Sequence, residues 1–190
     1  LSSLTLSKRR ILPKRKKNAH KGTAGHVLIV AGSPGKTGAA WMTVSAAFRS
    51  GSGLVTLLTD PRSLKVVAVQ VKEAFLSPFP LRRQALVSCL EGKQAVVVGP
   101  GMGVAGISKK VLRWVLAESR IPVVVDADAL TTLATCGSWL NRAKAPVIIT
   151  PHPGEMARLI KKSVGFVQRH RREVARGFAT RFGVTVVLKG

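Results

Sequence analysis

The stretch HVLIVAGSPGKTGAA, residues 26–40, joins an apolar strand pattern to a glycine-rich turn and the beginning of a helix. Its apolar residues follow one another without polar alternation, which is typical of strands covered on both faces of a sheet. The turn ends in Lys36 and Thr37, the residue types that close a phosphate-binding P-loop. The stretch therefore predicts the first strand, the ligand loop and the first helix of an α/β fold.

The spacing of the glycines argues against a P-loop. The GxxxxGK[ST] pattern would place its first glycine at position 30, which is Val30. Gly32 comes too late, and Pro34 lacks a backbone N–H group that the phosphate cradle would need. Either the turn serves geometry alone, or Gly38 and Ala39 belong to a different loop that lets a ligand approach the helix N-terminus.

Similar apolar runs recur along the chain, separated by segments with helical spacing. The predicted strands span 26–32, 53–59, 94–99, 122–127, 146–150 and 184–190, and the predicted helices span 38–50, 107–118 and 167–182. This alternation predicts an α/β fold with a central, mainly parallel sheet. Residues 1–19 lack periodicity and are rich in Lys and Arg, so they predict a basic linker or arm that precedes one domain over 20–190.

The net charge of +23 comes from 31 Lys and Arg against 8 Asp and Glu. Such a surplus allows sequence-independent binding to nucleic acid phosphates. However, no zinc-finger, RRM or KH signature accompanies it, and aromatic residues make up only 5%. The charge favours a solvated basic surface without specific nucleic acid binding, and a basic nucleic-acid-binding module stays open as the non-enzyme alternative.

No apolar run approaches the ~20 residues of a membrane span. Cys89 and Cys136 lack metal or disulfide spacing, which indicates a reducing, cytoplasmic compartment.

A second glycine pattern, Gly101-x-Gly103-x-x-Gly106, follows the predicted strand 94–99. Asp126 comes 20 residues after Gly106, where a Rossmann acid would contact ribose. The register is imperfect because Gly99 and Pro100 stand between the strand and Gly101. A Rossmann-type dinucleotide site is therefore kept as an alternative.

Three of the few acidic residues stand where predicted strands end. Asp126 and Asp128 fall at the end of 122–127, and Glu155 follows the turn TPHPG at 150–154. The carboxyl ends of parallel strands meet at one edge, so these carboxylates should lie near the glycine turns. His152 and Glu155 predict a substrate contact and a ligand for Mg²⁺ or its water. The structural alternatives are a hydrogen-bonded turn for His152, a favourable helix charge for Glu155, and helix capping near Ala129 for the aspartates.

Taken in order, these motifs resemble the ADP- or ATP-dependent NAD(P)H-hydrate dehydratases of the ribokinase-like superfamily. The motifs are HKG (20–22), AGSPGKTGAA (31–40), RSGSGLVT (49–56), VVVGPGMG (96–103), VVVDADAL (123–130), VIITPHPGEMARL (147–159) and VVLKG (186–190). The resemblance implies a three-layer ribokinase-like fold with helices on both faces of the sheet, incomplete at the C-terminus. A ribokinase-like small-molecule kinase would share this fold, but the HKG and TPHPGE elements argue against it.

The resemblance also implies an activity in nicotinamide nucleotide repair. The family activates the ring hydroxyl of the S epimer of hydrated NADH or NADPH with ADP or ATP, and eliminates it to restore the coenzyme. The implied sites are Ala39, Gly101, Gly103 and His152 for the hydrated dinucleotide, Lys189 and Gly190 for the adenine nucleotide, and Glu155, with Asp126 as a further candidate, for Mg²⁺.

The sequence departs from the family after the LKG strand. There the family has a GxGD element whose aspartate is the general base, and no residue follows Gly190 here. We therefore expect these 190 residues alone to be a catalytically inactive fragment. In many relatives an NAD(P)H-hydrate epimerase domain precedes the dehydratase, and the resemblance also implies a homo-oligomer.

Overall fold

The computed structural model describes residues 20–190, so the predicted arm at 1–19 lies outside the described part. One sheet of parallel strands, in the order β3-β2-β1-β4-β5-β6-β7, forms the centre. The strands are β1 (His26–Val30), β2 (Leu54–Thr59), β3 (Phe75–Pro78), β4 (Ala95–Val98), β5 (Val123–Val125), β6 (Val147–Ile149) and β7 (Thr185–Val186). The predicted α/β class with a parallel sheet is confirmed.

Helices connect successive strands. They are α1 (Thr37–Arg49), α2 (Leu64–Gln70), α3 (Arg83–Leu90), α4 (Ile107–Glu118), α5 (Asp128–Cys136), α6 (Pro153–Ile160), α7 (Val164–Arg169) and α8 (Arg171–Phe182). In the described residues 20–190, none of these helices is long and apolar enough to cross a bilayer.

The two faces of the sheet are covered unequally. Apolar residues of α3 to α8 pack on one face over β1, β2, β4, β5 and β6. On the other face, α1 and α2 bury Ile29 and Leu57 completely. The same row continues through Val97, Val124 and Ile148, which are only partly buried. The described helices therefore cover this second face over β1 and β2 and leave it open toward β7.

The predicted helix at 167–182 is wrong in its extent, because two helices occupy this region. The break falls at His170, where φ is −122° and ψ is 33°. The His170 ring stays against α7, with Nδ1 3.0 Å from the carbonyl oxygen of Phe166. Arg171 begins α8 and donates hydrogen bonds to the carbonyl oxygens of Leu188 and Lys189. These contacts turn the chain where apolar spacing alone indicates one continuous helix.

Strand β3 has no counterpart in the sequence analysis. Its four residues, FLSP, are too few to show a pattern, and the strand ends at Pro78. Proline is tolerated here because β3 is an edge strand, where one side of the backbone has no partner strand. The edge position thus explains both the sequence and the missed prediction.

Candidate functional site

The order of the sheet reverses direction between β1 and β4, and the loops that follow these strands meet there. The backbone N–H group of Gly32 donates to the carbonyl oxygen of Pro100 at 2.9 Å. The hydroxyl of Ser33 donates to the carbonyl oxygen of Gly101 at 2.8 Å. In open α/β sheets, ligands bind in the crevice at this switch point. We call the carboxyl edge of the sheet, with the loops that follow its strands, the rim.

Gly101 and Ala39, two of the residues predicted to bind substrate, lie against each other at the switch point. A Cβ atom at Gly101 would come within 2.9 Å of the Cβ atoms of Ala39 and Lys36, and the φ of Gly101 is +59°. Both the space and the backbone conformation thus require glycine at this position. These two small residues allow the β1–α1 loop and the β4–α4 turn to approach each other closely. The backbone of the β4–α4 turn then faces the rim.

Asp128 connects three loops of the rim. Its Oδ2 atom accepts from the Lys36 ammonium at 2.8 Å and from the backbone N–H group of Gly103 at 2.9 Å. The Asp128 side chain is only 18% exposed, which lowers the competition from water. The carboxylate therefore holds the β1–α1 loop and the β4–α4 turn to the N-terminus of α5. Lys36 has no P-loop role in this arrangement, because its ammonium group faces a carboxylate.

The capping alternative for Asp126 and Asp128 does not describe the start of α5. The N-cap residue is Ala127, and neither aspartate side chain accepts a capping bond from the helix. Ala127 has a φ of 51° and a ψ of −120°, a conformation that residues with a Cβ rarely adopt. Such strain persists only where the surroundings hold it, and it is concentrated at functional sites.

Lys189 reaches the same turn from the far side of the rim. Its ammonium group lies 2.9 Å from Oδ1 of Asp126, and its backbone N–H group donates to the carbonyl oxygen of Pro151. Gly190 follows with a φ of +85°, and a Cβ there would lie 3.4 Å from the ring of Pro153. The two residues predicted for the adenine nucleotide therefore lie beside the TPHPGE turn.

His152 and Glu155 form a capping box at the start of α6. The Nδ1 atom of His152 accepts from the backbone N–H group of Gly154 at 3.0 Å, and Oε2 of Glu155 accepts from that of His152 at 2.8 Å. Oε1 of Glu155 lies 3.5 Å from Nε2 of His152. Glu155 is 7% exposed while the His152 side chain is 51% exposed. The carboxylate is thus engaged with the helix, and the imidazole remains open to a ligand.

The carboxylates of the rim do not form a metal cage. Within residues 20–190, no group of three or more His, Cys, Asp or Glu side chains lies close enough together to hold an ion. Asp126 is 28% exposed and already faces Lys189. Mg²⁺ commonly keeps several waters and takes one or two carboxylates together with phosphate oxygens. The residues present fit a magnesium ion held chiefly by phosphate and water, and they do not fit a protein-only site.

The described rim places its charged groups in a row. Because neighbouring strands lie about 4.8 Å apart, His152 after β6 is about 10 Å from the end of β4, and Lys189 after β7 about 14 Å. These groups lie at the surface, because the side chains of Lys36, His152 and Lys189 are each about half exposed. A cavity of about 670 Å³ lies away from it, lined by Leu133 of α5, Ile160 of α6 and Phe178 of α8.

The HKG motif lies at the opposite edge of the sheet. Lys21–Ala24 forms a short 3₁₀ turn directly before β1. A Cβ at Gly53 would collide with the carbonyl oxygen of Lys21, so this turn packs directly on the backbone that precedes β2. The motif packs at the amino ends of β1 and β2, and its residues are not part of the rim.

Lys36 and Ser33 are site residues that sequence reasoning missed. Lys36 and Asp128 are 92 positions apart, and no local pattern connects them. The available signal was that Asp128 is one of only eight acidic residues and stands at a strand end in a chain with a large surplus of bases.

Comparisons with known proteins identify the family of the chain. Residues 27–190 match the family model described as NAD(P)H-hydrate dehydratase. A bifunctional NAD(P)H-hydrate repair enzyme from Moorella thermoacetica is 38% identical over 189 residues, which cover 94% of this chain and 36% of that protein. An ADP-dependent (S)-NAD(P)H-hydrate dehydratase from Lactiplantibacillus plantarum is 34% identical over 152 residues, covering 79% of this chain and 54% of that protein.

A solved structure supports the fold. The crystal structure of the ADP/ATP-dependent NAD(P)H-hydrate dehydratase from Bacillus subtilis, co-crystallised with ATP and Mg²⁺, superposes with a TM-score of 0.75 at 30% identity. The match covers 94% of this chain and 62% of that one. The chain thus spans about a third to two thirds of the length of these relatives. The family match over 27–190 shows that the chain belongs to the NAD(P)H-hydrate dehydratase family.

Proposed function

We propose that the rim is the hydrated-dinucleotide site of an ADP- or ATP-dependent dehydratase that acts on the S epimer of NADH or NADPH hydrate. The observation that carries the proposal is the contact between Ala39 and Gly101 at the switch point, held by Asp128 through Lys36 and Gly103. This contact places two small residues and a backbone turn where a flat, anionic ligand can approach closely.

The chemistry requires a better leaving group than hydroxide. ADP or ATP transfers its terminal phosphoryl group to the ring hydroxyl and is released as AMP or ADP. The phosphate ester then leaves as inorganic phosphate, with loss of a ring proton, which restores the coenzyme. The site must then balance phosphate charge with N–H groups and cations. Lys36 and Lys189 are each paired with an aspartate at 2.8 to 2.9 Å, so we expect most of the positive charge toward phosphate to come from bound Mg²⁺.

The partly exposed imidazole of His152 has a defined orientation. Because Nδ1 accepts from Gly154, the neutral ring carries its proton on Nε2. That N–H group lies 3.5 Å from Oε1 of Glu155, so we expect a carbonyl or hydroxyl of the hydrated nicotinamide ring to share or displace this contact. Glu155 acts through His152 by bonding its backbone N–H group, and any bond from Glu155 to Mg²⁺ would run through water.

Further features belong to the proposal. We infer a cytoplasmic protein that uses Mg²⁺, that operates beside an NAD(P)H-hydrate epimerase domain in a longer polypeptide, and that assembles as a homo-oligomer. The bifunctional name of the Moorella relative supports the second of these features. Family membership favours the dehydratase over a Rossmann dehydrogenase or a small-molecule kinase.

A turnover assay tests whether these 190 residues catalyse the dehydration on their own. We expect these 190 residues, incubated with hydrated NADH, Mg²⁺ and either ADP or ATP, to form no NADH above the rate without protein. The reason is that the sequence contains no GxGD aspartate to remove the hydroxyl proton. Absorbance of reduced nicotinamide measures the product. NADH formation well above the background rate would contradict this expectation, and would leave the assignment of the substrate intact.

Variants of Asp128 test how the loops are held. Asp128→Ala removes the acceptor for both Lys36 and Gly103, whereas Asp128→Asn keeps an oxygen for the Gly103 N–H group. A hydrogen bond to a charged group contributes about 1.5–3 kcal/mol, so we expect roughly 10- to 100-fold faster amide exchange around Gly103 in Asp128→Ala. Asp128→Asn should lie between this variant and the wild type.

A control separates this effect from a change in net charge. Glu91→Gln removes one exposed carboxylate at the end of α3, away from the rim. We expect it to leave exchange around Gly103 unchanged. Equal exchange in Asp128→Ala and Glu91→Gln would show that Asp128 does not hold the β4–α4 turn.

A further inference from the structure

One side of the molecule carries a dense set of cations that the rim does not use. Between residues 158 and 181, Glu173 is the only acidic residue. Seven exposed Lys and Arg side chains occupy the end of α6, the following turn, and helices α7 and α8. We call them the basic face: Arg158, Lys161, Lys162, Arg169, Arg172, Arg176 and Arg181.

The acidic side chains of these 190 residues are too few to neutralise these cations. Five of the eight acidic side chains in the sequence are engaged in ion pairs elsewhere, namely Asp60, Asp126, Asp128, Glu118 and Glu155. In the described part of the chain, none of the ion pairs includes a cation of the basic face. The mutual repulsion of these cations therefore persists until an external anion neutralises it.

Two cations of the basic face, Arg172 and Arg176, lie on the outer side of helix α8. Arg172 and Arg176 are four residues apart and lie one above the other, about 6 Å from each other along the helix. Phe178 is buried, and Val174 and Phe182 pack against the core. The apolar side of α8 thus faces inward, and its outer side offers charge alone.

We propose that the basic face binds the phosphate backbone of duplex nucleic acid, without regard to base sequence. A duplex carries one negative charge per ~1.7 Å of its axis, so two cations about 6 Å apart, with the other exposed cations of α6 to α8 near them, can each meet a phosphate. An anionic membrane fits less well, because a helix that lies in a bilayer surface needs large apolar residues on its outer side. The only exposed large apolar residue of α7 and α8 is Val164.

The salt dependence of binding gives the test. The logarithm of the affinity falls with the logarithm of salt concentration by about 0.9 per phosphate contact. We expect the triple variant Arg169→Gln, Arg172→Gln, Arg176→Gln to reduce this slope by roughly 2 to 3, because up to three phosphate contacts are lost. Its affinity for a random duplex should fall at least tenfold at low salt. Fluorescence anisotropy of a labelled duplex, measured from about 50 to 200 mM KCl, reports both values.

A matched control removes the same number of positive charges at other places on the surface. Arg49→Gln, Arg82→Gln, Arg120→Gln removes the same number of exposed arginines from three separate places outside the basic face. We expect its slope and affinity to stay within about twofold of the wild type. Equal loss in both triple variants would show that net charge alone drives binding, and would overturn the proposal. Tighter binding to phosphatidylserine vesicles than to duplex DNA would also overturn it, as would selection of one DNA sequence.

This test is independent of the dehydratase proposal. The arginines of the triple variant touch none of the residues assigned to the hydrated dinucleotide, so loss of DNA binding leaves that assignment unchanged. The cations of residues 1–19 are present in both variants, and their contribution cancels in the comparison.

Discussion

Replacing Gly99 by alanine is expected to destabilise the protein by about 3–5 kcal/mol, because it combines a steric clash with backbone strain. A Cβ atom at this position would collide with the carbonyl oxygen of Asp126 and lie 2.9 Å from the Cβ atom of Ala129. The φ of Gly99 is +131°, which only glycine adopts readily. Urea unfolding followed by circular dichroism measures the loss.

Gly177→Ala in helix α8 is the control with the opposite sign. Apart from the backbone of its own helix, no atom lies within 4 Å of a Cβ at Gly177, and the residue is in the interior of that helix. Alanine there should stabilise the protein by about 0.5–1 kcal/mol. A Gly99→Ala variant as stable as the wild type would show that the β4–α4 and β5–α5 turns are not in close contact.

Two neighbouring isoleucines should respond very differently to truncation. Ile149 is completely buried beneath the α3–α8 side, and Ile149→Ala should cost about 2–5 kcal/mol. Ile148 points to the face that the described helices leave open, so Ile148→Ala should cost less than about 1.5 kcal/mol. The same urea titration compares the two.

The milder variant Ile149→Val, with an expected loss of about 0.5–1.5 kcal/mol, keeps the comparison possible if Ile149→Ala does not fold. Equal losses for Ile148→Ala and Ile149→Ala would contradict the structure. They would mean that the face over β6 is covered as closely as the opposite one.

The central strands were predictable because burial on both faces leaves a continuous apolar run. Residues 94–99, 122–127 and 146–150 contain β4, β5 and β6, although each strand is shorter than its apolar run. The edge is different: β3 is partly exposed, and four residues that end in proline carry no periodic signal. The break at His170 was likewise invisible, since it depends on contacts with Phe166 and the end of the chain.

The positions of the site residues followed from one geometric rule. Parallel strands end at the same edge, so the glycine turns, the aspartates and the TPHPGE turn had to share the rim. Their partners did not follow. The pairs Lys36–Asp128 and Lys189–Asp126 join residues 92 and 63 positions apart, and only the folded sheet brings them together.

Glu155 illustrates a limit of residue-type reasoning. A carboxylate next to a predicted phosphate site suggests a metal ligand, but one three positions after an N-cap residue also satisfies a helix N-terminus. The structure shows the second arrangement, with Oε2 bonded to the backbone of His152. The role of Glu155 toward Mg²⁺ therefore stays a prediction.

The binding of hydrated NADPH tests the central claim most directly. We expect isothermal titration to detect binding of the S epimer to these 190 residues, and His152→Ala to weaken it roughly tenfold, about 1.4 kcal/mol, through loss of one hydrogen bond. His20→Ala removes an exposed imidazole at the opposite edge of the sheet and should leave the affinity unchanged. Equal affinity in the wild type and both variants, or no binding at all, would contradict the assignment of the rim as the hydrated-dinucleotide site.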